Sequence, residues 1–323
     1  MKKVLAVLLA LSMLLCLAGC GGNQTNGDDK PSENVKLRFT TGGESGTYYA
    51  FGSVIAQHAT NNAGISVNAV VGNGSQANIE ELEAGNAELA FCQSDVMAYA
   101  YAGTNLFDAP VTCFSTVAAL YTEQVQIVTL DPSIKTVADL AGKKVSIGAA
   151  GSGVYFNAVD ILGAYDLTED DIEPTYQSFG DSADALKDGK IDAAFIVAGA
   201  PTTAVVDLST TKDVCLVSLD DEHVEKLLEK SPYYAKCTIA KDVYGTAEDI
   251  TTVGVGAVIL AKNDVSEDAV YKLCKDIFDN AENLVDSHAK YGELNLEYAT
   301  SITSVPYHPG AVKYFAEKGI ELK

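Results

Sequence analysis

Beyond about residue 35 the chain alternates short apolar runs with longer stretches whose apolar residues return every third or fourth position. Residues 36–41 (KLRFTT), 65–72 (ISVNAVVG) and 87–93 (AELAFCQ) have the length and composition of strands. Residues 46–61 (GTYYAFGSVIAQHATN) and 75–86 (SQANIEELEAGN), which separate them, have helical spacing. The same grammar returns further on. Residues 143–151, 172–177 and 191–199 read as strands, and residues 152–165 and 182–190 as the helices between them. Alternation of this kind predicts mostly parallel sheets flanked by helices. Two long apolar runs, 111–130 and 250–264, suit strands that cross from one unit to the other. Near the C-terminus an apolar stripe runs through Val270, Leu273, Ile277, Ala281, Leu284 and Val285, which predicts one continuous helix started by Ser266 and Asp268. A last short helix follows the turn residues PYHPG.

The two series align with each other. Ser45-Gly46-Thr47-Tyr48-Tyr49 falls on Ser152-Gly153-Val154-Tyr155-Phe156, and Leu82, Gly85, Ala90 and Phe91 fall on Leu186, Gly189, Ala194 and Phe195 after nearly the same shift along the chain. Two related lobes are therefore expected, lobe 1 from residues 35–125 plus 252–323 and lobe 2 from residues 126–251. Ligands of open α/β sheets bind beyond the carboxyl ends of strands, and small molecules favour clefts between domains. Both Ser-Gly-x-Tyr turns lie at such strand ends. Each delivers a helix N-terminus, whose free N–H groups and positive dipole end attract an anion, although ordinary helix caps share the same residues.

The chain begins with Lys2 and Lys3, an apolar stretch to Ala18, and the sequence LAGC ending at Cys20. The stretch has the length of an export signal and is short for a membrane span. LAGC resembles a bacterial lipobox, which implies a signal peptide at residues 1–19, lipidation of Cys20 and a flexible tether at residues 20–34. The resulting expectation is an extracytoplasmic protein, lipid-anchored to the bacterial cell membrane. The formal net charge of −22 argues against nucleic acid as a partner. Arg38 is the only arginine, so an anionic ligand has to rely on backbone N–H groups, hydroxyls or lysine. Of the remaining cysteines, Cys92, Cys113, Cys215, Cys237 and Cys274, no pair has C-x-x-C spacing, and they read as small buried side chains.

Several residues around the expected cleft carry candidate chemistry. Gly43, Ser45, Gly46, Thr47 and Tyr48 form the first turn, and Ser152, Gly153 and Tyr155 the second. Ser75 and Asn78 open another helix, and Gln93 and Asp95 follow a strand. The last two could receive an ammonium group, with capping of the next helix an equal alternative for Asp95. Gly199 and Pro201 occupy the matching place in lobe 2. No catalytic pattern accompanies them: G-x-S-x-G is absent, and His58, His223, His288 and His308 have no metal-binding or triad spacing. Neither an enzyme, a metal nor a cofactor is expected.

TGGESGTYYAFGSVIA, GSQANIEELEAGNAELAFCQSD, GAAGSGVYF and PYHPGAVKYFAEKGI together resemble the TAXI family of extracytoplasmic solute-binding proteins, over about residues 36–319. The resemblance implies a type II periplasmic-binding-protein fold with a ligand cleft between its lobes. It also implies capture of a glutamate- or glutamine-like solute or another small carboxylate, delivery to the membrane subunits of a TRAP permease, and the residues above as the pocket. Glu44 stands where many relatives have a small residue. A surface lipoprotein that senses solute for a receptor kinase is the alternative.

Overall fold

The computed structural model of the protein describes residues 36–322. The expected signal segment, Cys20 and tether lie outside the described residues. In chain order the strands are β1 (Lys36–Thr40), β2 (Ser66–Val70), β3 (Leu89–Gln93), β4 (Phe114–Thr129), β5 (Lys144–Ser146), β6 (Glu173–Thr175), β7 (Ala193–Ala198), β8 (Cys215–Leu216), β9 (Ala235–Ile239) and β10 (Ile250–Lys262). The helices are α1 (Thr47–Asn62), α2 (Ser75–Glu83), α3 (Ser94–Ala102), α4 (Gly153–Ala164), α5 (Phe179–Lys187), α6 (Thr203–Ser209), α7 (Asp221–Lys230), α8 (Glu267–Asp279), α9 (Ala281–Leu284), α10 (Leu296–Ala299) and α11 (Pro309–Glu317). Among the described residues no helix is long and apolar enough to cross a membrane.

The strands form one sheet in the order β2-β1-β3-β10-β4-β7-β5-β6, with β8 and β9 added beside β4 and β10. Parallel pairing is confined to two wings, β2-β1-β3 and β7-β5-β6, where helices make the crossovers. The middle is antiparallel, because β4 and β10 run against each other and against the innermost strand of each wing. The run at 111–130 is thus a single sixteen-residue strand. It serves both wings: its first half faces β10 beside β3, and its second half pairs with β7. Two register shifts in the β4–β10 ladder, at Ala257/Val258 and Ile259/Leu260, bend it where it passes through the first wing.

Each wing is buried on both faces. In the first, α1, α8 and α11 cover one side through Phe51, Ile55, Leu273, Ile277 and Phe315, and α2 and α3 cover the other through Ile79, Leu82, Val96 and Met97. In the second, α4 and α7 pack Ile161, Leu162, Val224 and Leu227 on one side, while α5 and α6 supply Leu186, Val205 and Leu208 to the other. The apolar stripe expected to continue to Val285 breaks at Asn280, whose backbone leaves helical geometry and whose side-chain amide donates to the Asp276 carbonyl at 2.9 Å. Cys92 and Cys274 are buried and Cys113, Cys215 and Cys237 half-buried, all as free thiols.

Phe91 joins the first-wing core to the cleft. It is fully buried and stacks on Phe39 at 5.0 Å and on Tyr48 at 4.6 Å between ring centroids. Replacing it by alanine removes both ring contacts and leaves a cavity. Phe91→Ala is expected to lower the unfolding free energy by about 3–5 kcal/mol, measured by urea denaturation.

Candidate functional site

A cavity of about 470 Å³ opens between the two wings. Four helix N-termini reach its wall: α1 after Gly46, α2 after Gly74, α4 after Ser152 and α5 after Ser178. Three of them, those of α1, α2 and α4, have no side-chain cap, and apart from Ala77 N–H of α2, which donates to the Gly151 carbonyl, their first N–H groups are open to another acceptor. The backbones come very close here. A Cβ on Gly153 would fall 1.6 Å from Gln93 Oε1, and one on Gly74, whose φ is +102°, would fall 3.2 Å from Ser152 Cα. Glycine lets the Gly74 backbone meet that of Ser152 across the wings and leaves room at Gly153 for the Gln93 side chain.

The wings are tied together around the cavity. Ala77 N–H donates to the Gly151 carbonyl at 2.9 Å, Ala204 N–H to the Ser45 carbonyl at 3.2 Å, and the Thr47 hydroxyl to the Gly199 carbonyl at 3.0 Å. Beneath them, Asn157 of α4 donates to Asp95 Oδ2 at 2.9 Å and accepts from Gln93 Nε2 at 3.0 Å. Tyr234 OH accepts from the same Asn157 amide at 2.8 Å and donates to Asp160 at 3.0 Å.

Gly43, Ser45, Gly46, Thr47, Tyr48 and Ser75 line the cavity, together with Gln93, Ser152 and Gly153. The other expected site residues do not. Asn78 is fully buried below the wall, where it donates to the Thr41 and Phe91 carbonyls and accepts from the Thr40 hydroxyl. Asp95 lies in the first turn of α3, buried under Asn157. Tyr155 turns its hydroxyl outward to Glu169 at 2.8 Å. Gly199 packs against Lys290 and Tyr121, and Pro201 is exposed. His308, expected as a turn residue, caps α11: its Nδ1 accepts from Gly310 N–H, and its ring is buried against the Val265 carbonyl.

Several lining residues carried no expectation from sequence. Gln177 lies between β6 and α5, Phe179, Asp181 and Asp184 belong to α5, and Glu123 comes from the middle of β4. Glu123 is 2 % exposed and accepts a hydrogen bond from Tyr48 OH at 2.8 Å. The only sequence signal is a lone charge in a long apolar run, and the polar Thr122 and Gln124 beside it blur that signal. Burial pushes its carboxyl up to about 8, an effect the Tyr48 bond only partly offsets, and burial pushes Asp95 up to about 7. Ser152 Oγ, Gln93 Oε1 and Gln177 Oε1 are buried in this region without a hydrogen-bond partner among the described residues. Unpaired polar atoms in a wall of free N–H groups are suited to a small polar molecule.

This α/β architecture, with the cavity between two wings of one sheet, is that of periplasmic binding proteins. The chain belongs to the NMT1-like family, whose model matches residues 39–319. Among solved structures, it resembles PhnD1 from Prochlorococcus marinus in complex with methylphosphonate, with a TM-score of 0.52 and 9% identity over 80% of this chain and 88% of that one. It also resembles a putative L-cystine ABC transporter protein from Listeria monocytogenes, with a TM-score of 0.50 and 16% identity over 83% of this chain and 100% of that one. A protein from Bordetella bronchiseptica RB50 gives a TM-score of 0.52 and 17% identity over 87% and 89% of the two chains. Identities this low establish the fold alone.

Asp95 and Glu123 keep their protons in the folded state over a range where the unfolded chain has released them. Their contribution to stability is therefore fully present below the ordinary values of 3.8 and 4.5, and it is lost as pH rises through about 7 and about 8. Glu123→Gln is expected to flatten this decline, which urea unfolding across that pH range measures.

Proposed function

We propose that the protein is an extracytoplasmic solute-binding protein that captures a small carboxylate or amino acid and hands it to a membrane transporter. The observation that carries the reading is the cavity itself, where uncapped N-termini from both wings and the unpartnered Ser152 hydroxyl face one space. Membership of the NMT1-like family and the likeness to transport-related binding proteins support it. The TAXI resemblance of the glycine-rich turns narrows the partner to a TRAP-type permease and the solute to the glutamate and glutamine range. The N-terminal sequence supports export and a lipid anchor at Cys20.

In this reading the wings are lobes, divided within β4 and β10 near residues 125/126 and 251/252, and these two strands carry the motion between an open and a closed form. Gly43, Ser45, Gly46, Tyr48, Ser75, Gln93, Ser152 and Gly153 contact the solute. Thr47 acts through its bond to Gly199 across the seam. Solute stabilises the closed form by bridging groups that otherwise lie on separate lobes. In this scheme the wall binds the solute and no catalytic step is invoked.

Solution scattering on the protein with and without a bound solute tests closure. The radius of gyration is expected to fall on saturation, and an unchanged value would count against lobe movement. A thermal-shift screen of amino acids, 2-oxo acids and dicarboxylates supplies the solute. Ser152→Ala combined with Thr47→Ala is then expected to weaken binding by about tenfold or more in calorimetry while the fold is kept, since each hydroxyl contributes a hydrogen bond worth about 1 kcal/mol. Unchanged affinity would remove both hydroxyls from the site.

A further inference from the structure

The charges lining the cavity are all of one sign. Glu44, Asp181 and Asp184 are exposed at its rim, Glu123 is buried in its wall, and no lysine, arginine or histidine is among the lining residues. The Lys290 ammonium, whose charge favours ionisation of Glu123, is outside this wall. It is held by Glu293 and the Ala200 carbonyl and lies 5.2 Å from the centre of the Tyr121 ring. The free N–H groups of α1, α2 and α4 can hold one carboxylate without a cation. A second carboxylate would meet the rim carboxylates Glu44, Asp181 and Asp184 or the buried Glu123, with no cation in the lining to receive it.

Resting on the solute-binding reading above, we infer that the solute is a small zwitterion, with one carboxylate at the helix N-termini and an ammonium group against Glu123, and that dicarboxylates are rejected. Three observations converge on this placement. Glu123 is buried, and its carboxyl has two polar neighbours, Tyr48, which donates to Oε2 at 2.8 Å, and the Gln93 side chain. Gln93, itself 2 % exposed, brings the unpartnered acceptor Oε1 to the same wall, and the Ser152 hydroxyl, 7 % exposed, lies on the opposite wing. An ammonium group offers three donors, which suits the ionised Glu123 carboxylate and an amide oxygen together, and an acid without an amine would leave the Gln93 oxygen unpaired. The rim carboxylates add a repulsion that grows with each negative charge the solute carries. A neutral amino acid of the glutamine kind is therefore favoured over glutamate, and glutamate over succinate.

The same geometry couples binding to a proton. Glu123 is faced by Tyr48 from α1, Gln93 and Cys92 from β3, Asp95 from α3, Tyr121 on its own strand and Lys290 from the segment before α10. Burial keeps its carboxyl protonated near neutrality, and an ammonium at contact distance favours the ionised form. Binding thus releases a proton from Glu123 to solvent, and affinity rises with pH toward about 8.

Calorimetry on the purified protein tests this with L-glutamine, L-glutamate, succinate and the 2-oxo analogue of glutamine, in two buffers of different ionisation heat. The expected result is that the amino acid with one carboxylate binds tightest, that removing its amine weakens binding by about ten- to a hundredfold, and that the heat reports proton release. Glu123→Gln is expected to abolish the buffer dependence and most of the preference for an amine, with Tyr48→Phe as a second variant that leaves the carboxylate in place and shifts the pH profile. A cooperative thermal unfolding transition in each variant establishes that both fold. Equal or tighter binding of succinate or the 2-oxo acid, or an amine preference that survives Glu123→Gln, would overturn the inference while leaving the solute-binding reading intact. Failure of all four compounds to bind would remove both.

Discussion

The antiparallel pairing of β4 with β10 is the constraint on which the molecule depends. Each strand is long enough to enter both wings, and each wing closes its sheet against them. A β-sheet has no tolerance for an unpaired central strand, because every backbone group there is buried and needs a partner. Wing order, cleft position and the approach of the four helix N-termini all follow from that ladder. The cavity lies where the parallel strands of both wings end, and the long strands set how far apart those ends stand.

Much of this was legible in the chain. Strand–helix alternation, the two glycine-rich turns and the crossing role of the long apolar runs depend on local periodicity, which sequence displays directly. The antiparallel middle was less so, since which strands become neighbours is settled by tertiary pairing. The site divides along the same line. Gly43 through Tyr48, Ser152 and Gly153 are readable because a turn that brings backbone close to backbone needs glycine and small hydroxyls in a fixed order. Asn78 and Asp95 look identical in kind to surface polar residues, yet Asn78 ties three backbone or hydroxyl groups beneath the wall and Asp95 is covered by Asn157. Their partners lie tens of residues away, beyond the reach of any pattern.

Glu123 shows the same limit from the other side. Its neighbours Thr122 and Gln124 make the middle of β4 look like an exposed polar step, whereas the chain buries the carboxylate and brings Tyr48 to it from a helix 75 positions earlier. The ring of Tyr48 is in turn fixed flat against Phe91. Core packing and cleft chemistry are therefore one system: an aromatic stack chosen for its area also aims a hydroxyl.

Asn157 has a consequence of its own. It clasps both wings with an amide, a group that gives and takes hydrogen bonds at once and exchanges no proton in the physiological range. Of its three partners Asp95 changes charge with acidity, whereas Gln93 and Tyr234 do not. The bond to Gln93, amide to amide, therefore joins the wings whatever the charge on the carboxyls around the cavity.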